Sequence, residues 1–194
     1  MKKLLIVVLL MFASTTWAGD VEDGVTAFEN KNYPVALAKF RLAGTKGDAD
    51  AQFMVGAMYG EGFGIKKDYK EAVRWYKLAA EQGDASAQFM VGVMFDNGRG
   101  VAQDYVEAMR WYKLAAAQGY ADAQFNLGNM FDKGQGVAQD FTRAHMWYNL
   151  AAVSGDKDAV KNRDLIAAEM TPQQIAQAQQ LARECTARNF QNCD

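Results

Sequence analysis

Residues 83–118 read GDASAQFMVGVMFDNGRGVAQDYVEAMRWYKLAAAQ, and the same pattern stands directly before and after this stretch. Residues 47–82 read GDADAQFMVGAMYGEGFGIKKDYKEAVRWYKLAAEQ, and residues 119–154 read GYADAQFNLGNMFDKGQGVAQDFTRAHMWYNLAAVS. The segments align without a gap, and the first two agree at roughly two-thirds of their positions, a self-similarity typical of repeat architectures. The sequence therefore predicts a tandem array of one small unit.

Each unit is predicted to consist of two helices joined by a glycine-rich loop. In the first unit, Asp48 is a favourable N-cap residue, and the glycines of residues 60–64 end the first helix. Asp68 followed by Glu71 predicts a capping box at the start of the second helix. The later units repeat this start with Asp104 and Glu107, and then with Asp140 alone.

One register of the first helix carries a glycine in every unit: Gly56, Gly92 and Gly128. Glycine costs about 1 kcal/mol relative to alanine inside a helix, so its recurrence predicts a close helix–helix approach. The second helix carries an amphipathic stripe that includes Trp75 and Tyr76. A single hairpin cannot bury such a stripe, whereas stacked hairpins can, which predicts an all-α solenoid.

The units share the pattern A-x-x-x-[VL]-G-x-M-[YF]-x-x-G-x-G-[VI]-x-x-D-[YF]-x-x-A-x-x-W-Y-x-x-A-A-x-x-G. This pattern resembles the Sel1-like repeat, a relative of the tetratricopeptide repeat. The resemblance implies a right-handed α/α solenoid of Sel1-like and tetratricopeptide-like helix hairpins. It also implies a role as a scaffold for protein–protein interaction, often in bacterial envelope or signalling complexes.

Repeat register and resemblance together divide the chain into segments. The expected segments are a signal peptide (1–18), an N-terminal tetratricopeptide-like capping hairpin (19–46), Sel1-like repeats (47–82, 83–118 and 119–154), and a degenerate C-terminal repeat with a disulfide-stapled cap (155–194). In the last segment, Thr171, Pro172 and Gln174 predict a helix start with a capping box.

The first residues have the layout of a secretory signal peptide. Lys2 and Lys3 precede an apolar run over residues 4–12, and small residues lead to Ala18. The apolar run is shorter than the roughly 20 residues that a membrane-spanning helix needs. We expect cleavage after Ala18 and a periplasmic or secreted protein without membrane insertion, the alternative being a single membrane anchor.

Two cysteines, Cys185 and Cys193, lie close together near the C-terminus. An even pair in an exported chain predicts a disulfide, and the spacing differs from that of a C-x-x-C redox motif. A continuing helix would separate the two residues by about 12 Å, beyond the roughly 7 Å that a disulfide bridges. The last helix should therefore end soon after Cys185, and the tail should fold back.

Composition argues against several functions. Lysine and arginine total 21 and aspartate and glutamate 23, so the net charge of −2 predicts no nucleic-acid surface. The one histidine, His145, is expected on the surface, and no cofactor or metal is predicted. Ser154 and Lys157 match S-x-x-K without the companion motifs of penicillin-interacting enzymes. The chain is therefore predicted not to be an enzyme.

A partner is expected on the first helices, which line the concave side of helical solenoids. The recurring phenylalanines are candidate apolar anchors for a protein or peptide, the alternative being that they pack in the core. Neighbouring positions that vary between units are candidates for partner choice and become more polar toward the C-terminus. The candidate partner-binding residues are Phe53, Met54, Ala57, Phe89, Met90, Val93, Phe125, Asn126 and Asn129.

These observations favour a monomeric exported scaffold, most simply a periplasmic regulatory or assembly adaptor. One alternative is a secreted factor that binds a host protein. A minor alternative is a hydrolase of β-lactam or cell-wall substrates, because some cysteine-rich members of the repeat family have been described in that role. Those members carry a cysteine pair in each repeat, whereas no repeat of this chain contains cysteine.

Overall fold

The structure is a computed structural model that describes residues 19–193, and within that range it contains helices and loops but no strand. This confirms the predicted all-α class, while the predicted signal peptide, residues 1–18, lies outside the described residues. The helices are α1 (described over 19–29), α2 (Tyr33–Thr45), α3 (Ala49–Glu61), α4 (Tyr69–Glu81), α5 (Ala85–Asn97), α6 (Tyr105–Ala116), α7 (Ala121–Lys133), α8 (Phe141–Ala152), α9 (Lys157–Ala167) and α10 (Pro172–Ala187).

The helices form two compact units, one ending at Asp84 and the other beginning at Ala85. In the first unit, α2 packs on α3 and α3 on α4, around a core that includes Phe40, Val55 and Trp75. In the second unit, α5 pairs with α6 and α7 with α8, while α8 also packs against α9 and α10. Its core runs through these helices as far as the C-terminal cysteines.

The recurring glycines allow the two helices of each hairpin to approach closely, as predicted. A Cβ atom on Gly56 would lie 2.6 Å from the ring of Tyr76, and one on Gly92 would lie 2.6 Å from the ring of Tyr112. A Cβ atom on Gly128 would lie 2.5 Å from the ring of Tyr148. Any side chain at these positions would collide with a tyrosine ring.

The predicted aspartate caps form, but the predicted capping boxes at Glu71 and Glu107 need correction. Asp68 accepts hydrogen bonds from the backbone amides of residues 70 and 71. Asp104 accepts hydrogen bonds from the backbone amides of residues 106 and 107. Each glutamate instead pairs with the arginine three residues later: Glu71 lies 3.5 Å from Arg74, and Glu107 lies 3.0 Å from Arg110. The N-cap amides that a capping box would use are already engaged, since Asp68 N donates to the Tyr59 carbonyl at 2.9 Å and Asp104 N donates to the Phe95 carbonyl at 3.0 Å.

A complete capping box opens α10, as the sequence predicted. The Thr171 amide donates to Gln174 Oε1 at 2.8 Å, and the Gln174 amide donates to Thr171 Oγ1 at 3.3 Å. Two otherwise unpaired amides at the helix start are thereby satisfied.

The C-terminal tail folds back through the predicted disulfide between Cys185 and Cys193, whose Cα atoms are 5.1 Å apart. Helix α10 ends at Ala187, and the following residues include Phe190 with a φ of 62°, an uncommon value for a bulky side chain. Gln191 donates its side-chain amide to the Ala117 carbonyl at 2.8 Å, so the tail is attached to the turn between α6 and α7.

Candidate functional site

The predicted partner-binding positions lie on α3, α5 and α7, the first helices of the three repeats, and all are half-buried. They are Phe53, Met54, Ala57, Phe89, Met90, Val93, Phe125, Asn126 and Asn129. Partial burial leaves side-chain surface available while the rest of each side chain is packed against the protein. Whether this face binds a partner stays a prediction.

Each phenylalanine of this set packs on the tyrosine of the second helix in its own repeat. The ring centroids are 5.5 Å apart for Phe53 and Tyr76, and 5.7 Å apart for Phe125 and Tyr148. Phe89 lies 5.8 Å from Tyr112 and also 5.2 Å from Tyr120. These separations are typical of stabilising aromatic pairs. The phenylalanines therefore support the hairpins, and their half-exposed edges are fixed in position.

The tyrosine hydroxyls of the second unit point to polar groups of the first helices. Tyr112 donates to an Asp96 carboxylate oxygen at 3.2 Å, and Tyr148 donates to Asn129 Oδ1 at 2.8 Å. Burial raises the pKa of Tyr112 far above its usual range, and the nearby Asp96 carboxylate raises it further. The hydroxyls stay protonated and act as fixed hydrogen-bond donors.

Both asparagines on the candidate face are engaged inside the second unit. Asn129 accepts from Tyr148, and the side chain of Asn126 hydrogen-bonds the hydroxyl of Tyr112. Their polarity serves contacts within and between neighbouring hairpins. Met90 and Val93 at the equivalent positions of α5 are apolar and half-buried, so they are the more adaptable part of this face.

His145 is buried in α8 with 3% of its surface exposed, which makes the predicted surface position wrong. Burial lowers the pKa of His145, and the nearby Arg163 lowers it further, against an opposing effect of Asp164. Its Nδ1 atom has no hydrogen-bond partner among the described residues. Burial together with a lowered pKa is typical of a histidine packed in the core.

The other candidate catalytic residue of the sequence, Ser154, is engaged in a hydrogen bond at a helix end. The Ser154 hydroxyl donates to the Ala151 carbonyl at 2.6 Å and so closes the end of α8 instead of facing a base. Across residues 19–193, no three His, Cys, Asp or Glu side chains are grouped closely enough to hold a metal ion. Over the same range, no helix has the length and apolar character that crossing a membrane requires.

A buried glutamine recurs on the first helix, and sequence reasoning missed its role. Gln52, Gln88 and Gln124 expose only 5%, 5% and 2% of their surfaces. Gln52 donates to the Gly44 carbonyl at 2.9 Å, and Gln124 donates to the Ala116 carbonyl at 3.4 Å, so both reach carbonyls at the end of the preceding helix. The signal was a glutamine at the same register of the first helix in every unit.

Helical hairpins that recur at one register and are tightened by the same glycine–tyrosine contact define an α-helical repeat protein. The chain belongs to the Sel1 repeat family, whose profile matches residues 49–84, 85–120 and 121–156. Its fold is accordingly the all-α solenoid type of that family. Sel1 repeat proteins are generally non-catalytic scaffolds for protein–protein interaction.

Two solved structures show the same fold. A protective antigen of uropathogenic Escherichia coli with an SLR fold is similar at a TM-score of 0.74 and 30% identity, over 82% of this chain and 34% of that chain. A Sel1 repeat protein from Oxalobacter formigenes is similar at a TM-score of 0.73 and 29% identity, over 89% of this chain and 75% of that one. The chain thus spans about a third of the length of the antigen. No curated protein matches the chain.

Proposed function

We propose that this protein is an exported scaffold that binds a protein or peptide through the half-exposed faces of its first helices and performs no chemistry. The observation that carries the proposal is the pairing of a fixed phenylalanine with half-exposed apolar neighbours. Met54 and Ala57 accompany Phe53 in the first unit, and Met90 and Val93 accompany Phe89 in the second. Rigid aromatic edges beside flexible methionines are typical of surfaces that bind partner side chains.

Export is supported by the disulfide and by the signal-peptide pattern of residues 1–18. Disulfides persist in oxidising compartments such as the periplasm and are rare in the cytosol. A periplasmic regulatory or assembly adaptor is the favoured setting. A secreted factor that binds a host protein differs from it in location, so comparing the periplasmic fraction with the culture medium separates the two.

The test is site-specific photo-crosslinking in the native compartment. A photoreactive amino acid at position 90 or 54 should yield adducts with a discrete partner. The matched control is position 106 on α6, where the valine is 65% exposed and lies outside the candidate face. Adducts that form equally well from position 106 would contradict the proposal.

A second arm uses truncation of the same side chains. Met90→Ala should reduce partner crosslinking from position 93, whereas Val106→Ala should leave it unchanged. Circular dichroism at the assay temperature would confirm that both variants remain folded. Undiminished capture by the Met90→Ala variant would place the partner elsewhere on the protein.

The absence of chemistry is tested separately with nitrocefin, a chromogenic β-lactam. The purified protein is expected to leave nitrocefin intact, because its serine and histidine side chains at positions 154 and 145 are engaged or buried. Turnover that copurifies with the protein would overturn this part of the proposal and leave the fold unaffected.

A further inference from the structure

In the first two repeats, the buried glutamine of the first helix pairs with a second glutamine that follows the second helix. Gln82 Nε2 donates to Gln52 Oε1 at 2.7 Å. Gln118 Nε2 donates to Gln88 Oε1 at 2.9 Å. Because the first glutamine donates toward a helix-end carbonyl, its oxygen is left to accept a hydrogen bond from an amide. The pairing thus satisfies a polar group that is withdrawn from water.

The third repeat has lost this partner. The residue at the register of Gln82 and Gln118 is Ser154, whose short side chain is occupied by the Ala151 carbonyl. Gln124 is still buried and exposes only 2% of its surface. Its hydrogen bond to the Ala116 carbonyl, at 3.4 Å, is at the long limit for such a bond. No glutamine at position 154 therefore donates to the Gln124 side chain.

A cavity of about 180 Å³ lies where the missing glutamine would be. Gln124 and Ser154 line it together with the apolar side chains of Leu150, Val153 and Phe190. One water needs only about 10–15 Å³ of such space, so the cavity has room for a side chain. Phe190 belongs to the disulfide-closed tail, which therefore forms one wall of the cavity.

An apolar cleft of about 420 Å³ shares three walls with this cavity: Leu150, Val153 and Thr186. Val153 is 83% exposed, so its side chain is accessible to a ligand in this cleft. The combined site therefore places the Gln124 side chain beside an apolar surface.

We propose that this site binds a glutamine side chain of a partner peptide, with an apolar residue of the same peptide lying on Val153 and Leu150. The two intact repeats show the complement that the site requires, a primary amide that donates to the buried glutamine oxygen. A glutamate has the same shape but no donor, and it would place a charge in an apolar cavity. None of the residues that line this site belongs to the nine first-helix positions of the proposed function, so either proposal can fail alone.

The experiment is an NMR titration of the purified exported protein with two blocked dipeptides, acetyl-Leu-Gln-N-methylamide and acetyl-Leu-Glu-N-methylamide. The glutamine probe should shift the side-chain amide signals of Gln124 and the backbone signals of Val153 and Phe190, saturating at millimolar concentration. It should bind about tenfold or more tightly than the glutamate probe, because the glutamate would carry its charge into an apolar cavity. Equal shifts with both probes, or none with either, would overturn the proposal.

The decisive variant is Ser154→Gln, which restores the residue of the other repeats. Its own side chain should fill the cavity, abolish the probe-induced shifts and raise the urea midpoint. Ser154→Ala leaves the cavity open and should keep the shifts. Binding that survives in Ser154→Gln would overturn the proposal, as would shifts of the same signals on raising the protein concentration without probe, which would identify a second copy as the occupant.

Discussion

At the scale of single residues, the glycine–tyrosine contact holds each hairpin together. Tyr112 and Tyr148 are fully buried, and the hydroxyl of each is fixed by a hydrogen bond at the far end of the ring. A ring held at both ends cannot move aside for a methyl group, because protein interiors are close-packed. The glycine and the tyrosine must therefore be treated as one unit in any substitution.

Gly92→Ala should lower the free energy of unfolding by about 1–3 kcal/mol, the cost of overpacking a filled core. The sign is diagnostic, because the same change at an uncrowded helical position stabilises a protein by up to about 1 kcal/mol. Gly60→Ala is the matched control, since a Cβ atom there would meet its nearest neighbour at an ordinary 3.6 Å. Urea denaturation of both variants measures the difference, and a stabilised Gly92→Ala protein would contradict the packing described.

The burial of His145 could have been predicted from its register in the repeat. At its register the earlier repeats carry Val73 and Met109, which are 5% and 8% exposed, so the position is buried in every repeat. The predicted surface position was wrong because it rested on the polarity of histidine and not on the burial of this register. The neighbouring Met146 is only 2% exposed, whereas Arg110 at the same register of the preceding repeat is exposed. The difference arises because α8 is also packed against α9 and α10.

The buried imidazole should make stability depend on pH. Since the pKa of His145 in the folded chain is lowered from its ordinary value of about 6.5, the unfolded chain takes up the proton first as the pH falls. The free energy of unfolding is therefore highest above pH 6.5 and decreases below it. The charged groups that act on it are Arg163 and Asp164. His145→Met should flatten the decrease between pH 7.5 and 5.5 in urea denaturation, and parallel curves would contradict the assignment.

At the scale of elements, each second helix is started by an aspartate, and the following glutamate contributes little. Asp104→Ala should cost about 1 kcal/mol, because the Val106 and Glu107 amides lose their acceptor. Glu107→Ala should cost about 0.5 kcal/mol or less, since it removes an exposed ion pair with Arg110. Thermal denaturation compares the two. Equal losses would mean that Glu107 takes part in a capping box after all.

The C-terminal helix and its tail form an element that depends on the disulfide. Replacing Cys185 and Cys193 by serine should cost about 2–3 kcal/mol, from the entropy that the closed loop removes from the unfolded chain. It should also release the Gln191 contact to Ala117, which hydrogen exchange would detect as faster exchange in residues 188–193. Gln191→Ala, which removes that contact alone, is the control. Unchanged exchange in the serine variant would show that the tail is held by other contacts.

At the scale of the whole molecule, the fold was predictable because repetition multiplies a weak signal. One glycine inside a helix is ambiguous, whereas a glycine at the same register in three units identifies a packing contact. The role of the candidate partner-binding residues was less predictable, because their side chains can either contact a partner or pack within the protein. Asn126 and Asn129 look like variable surface residues in the sequence, yet their amides bond tyrosine hydroxyls whose position only the packed hairpins reveal. The Gln124 cavity was missed because it arises from a partner that is absent at position 154.

The compartment in which the molecule acquires its disulfide depends on whether residues 1–18 direct export. If residues 1–18 direct export, the full-length chain expressed in a Gram-negative host should be recovered from the periplasm, shortened to begin at Gly19 and without free thiols. Val8→Arg interrupts the apolar run of the leader and should leave the chain in the cytoplasm, with its full mass and both thiols reduced. Mass spectrometry and thiol titration of the two fractions provide the readout. A Val8→Arg protein that is still processed and oxidised would show that export does not depend on this segment, whereas a wild-type protein retaining residues 1–18 on membranes would indicate an anchor.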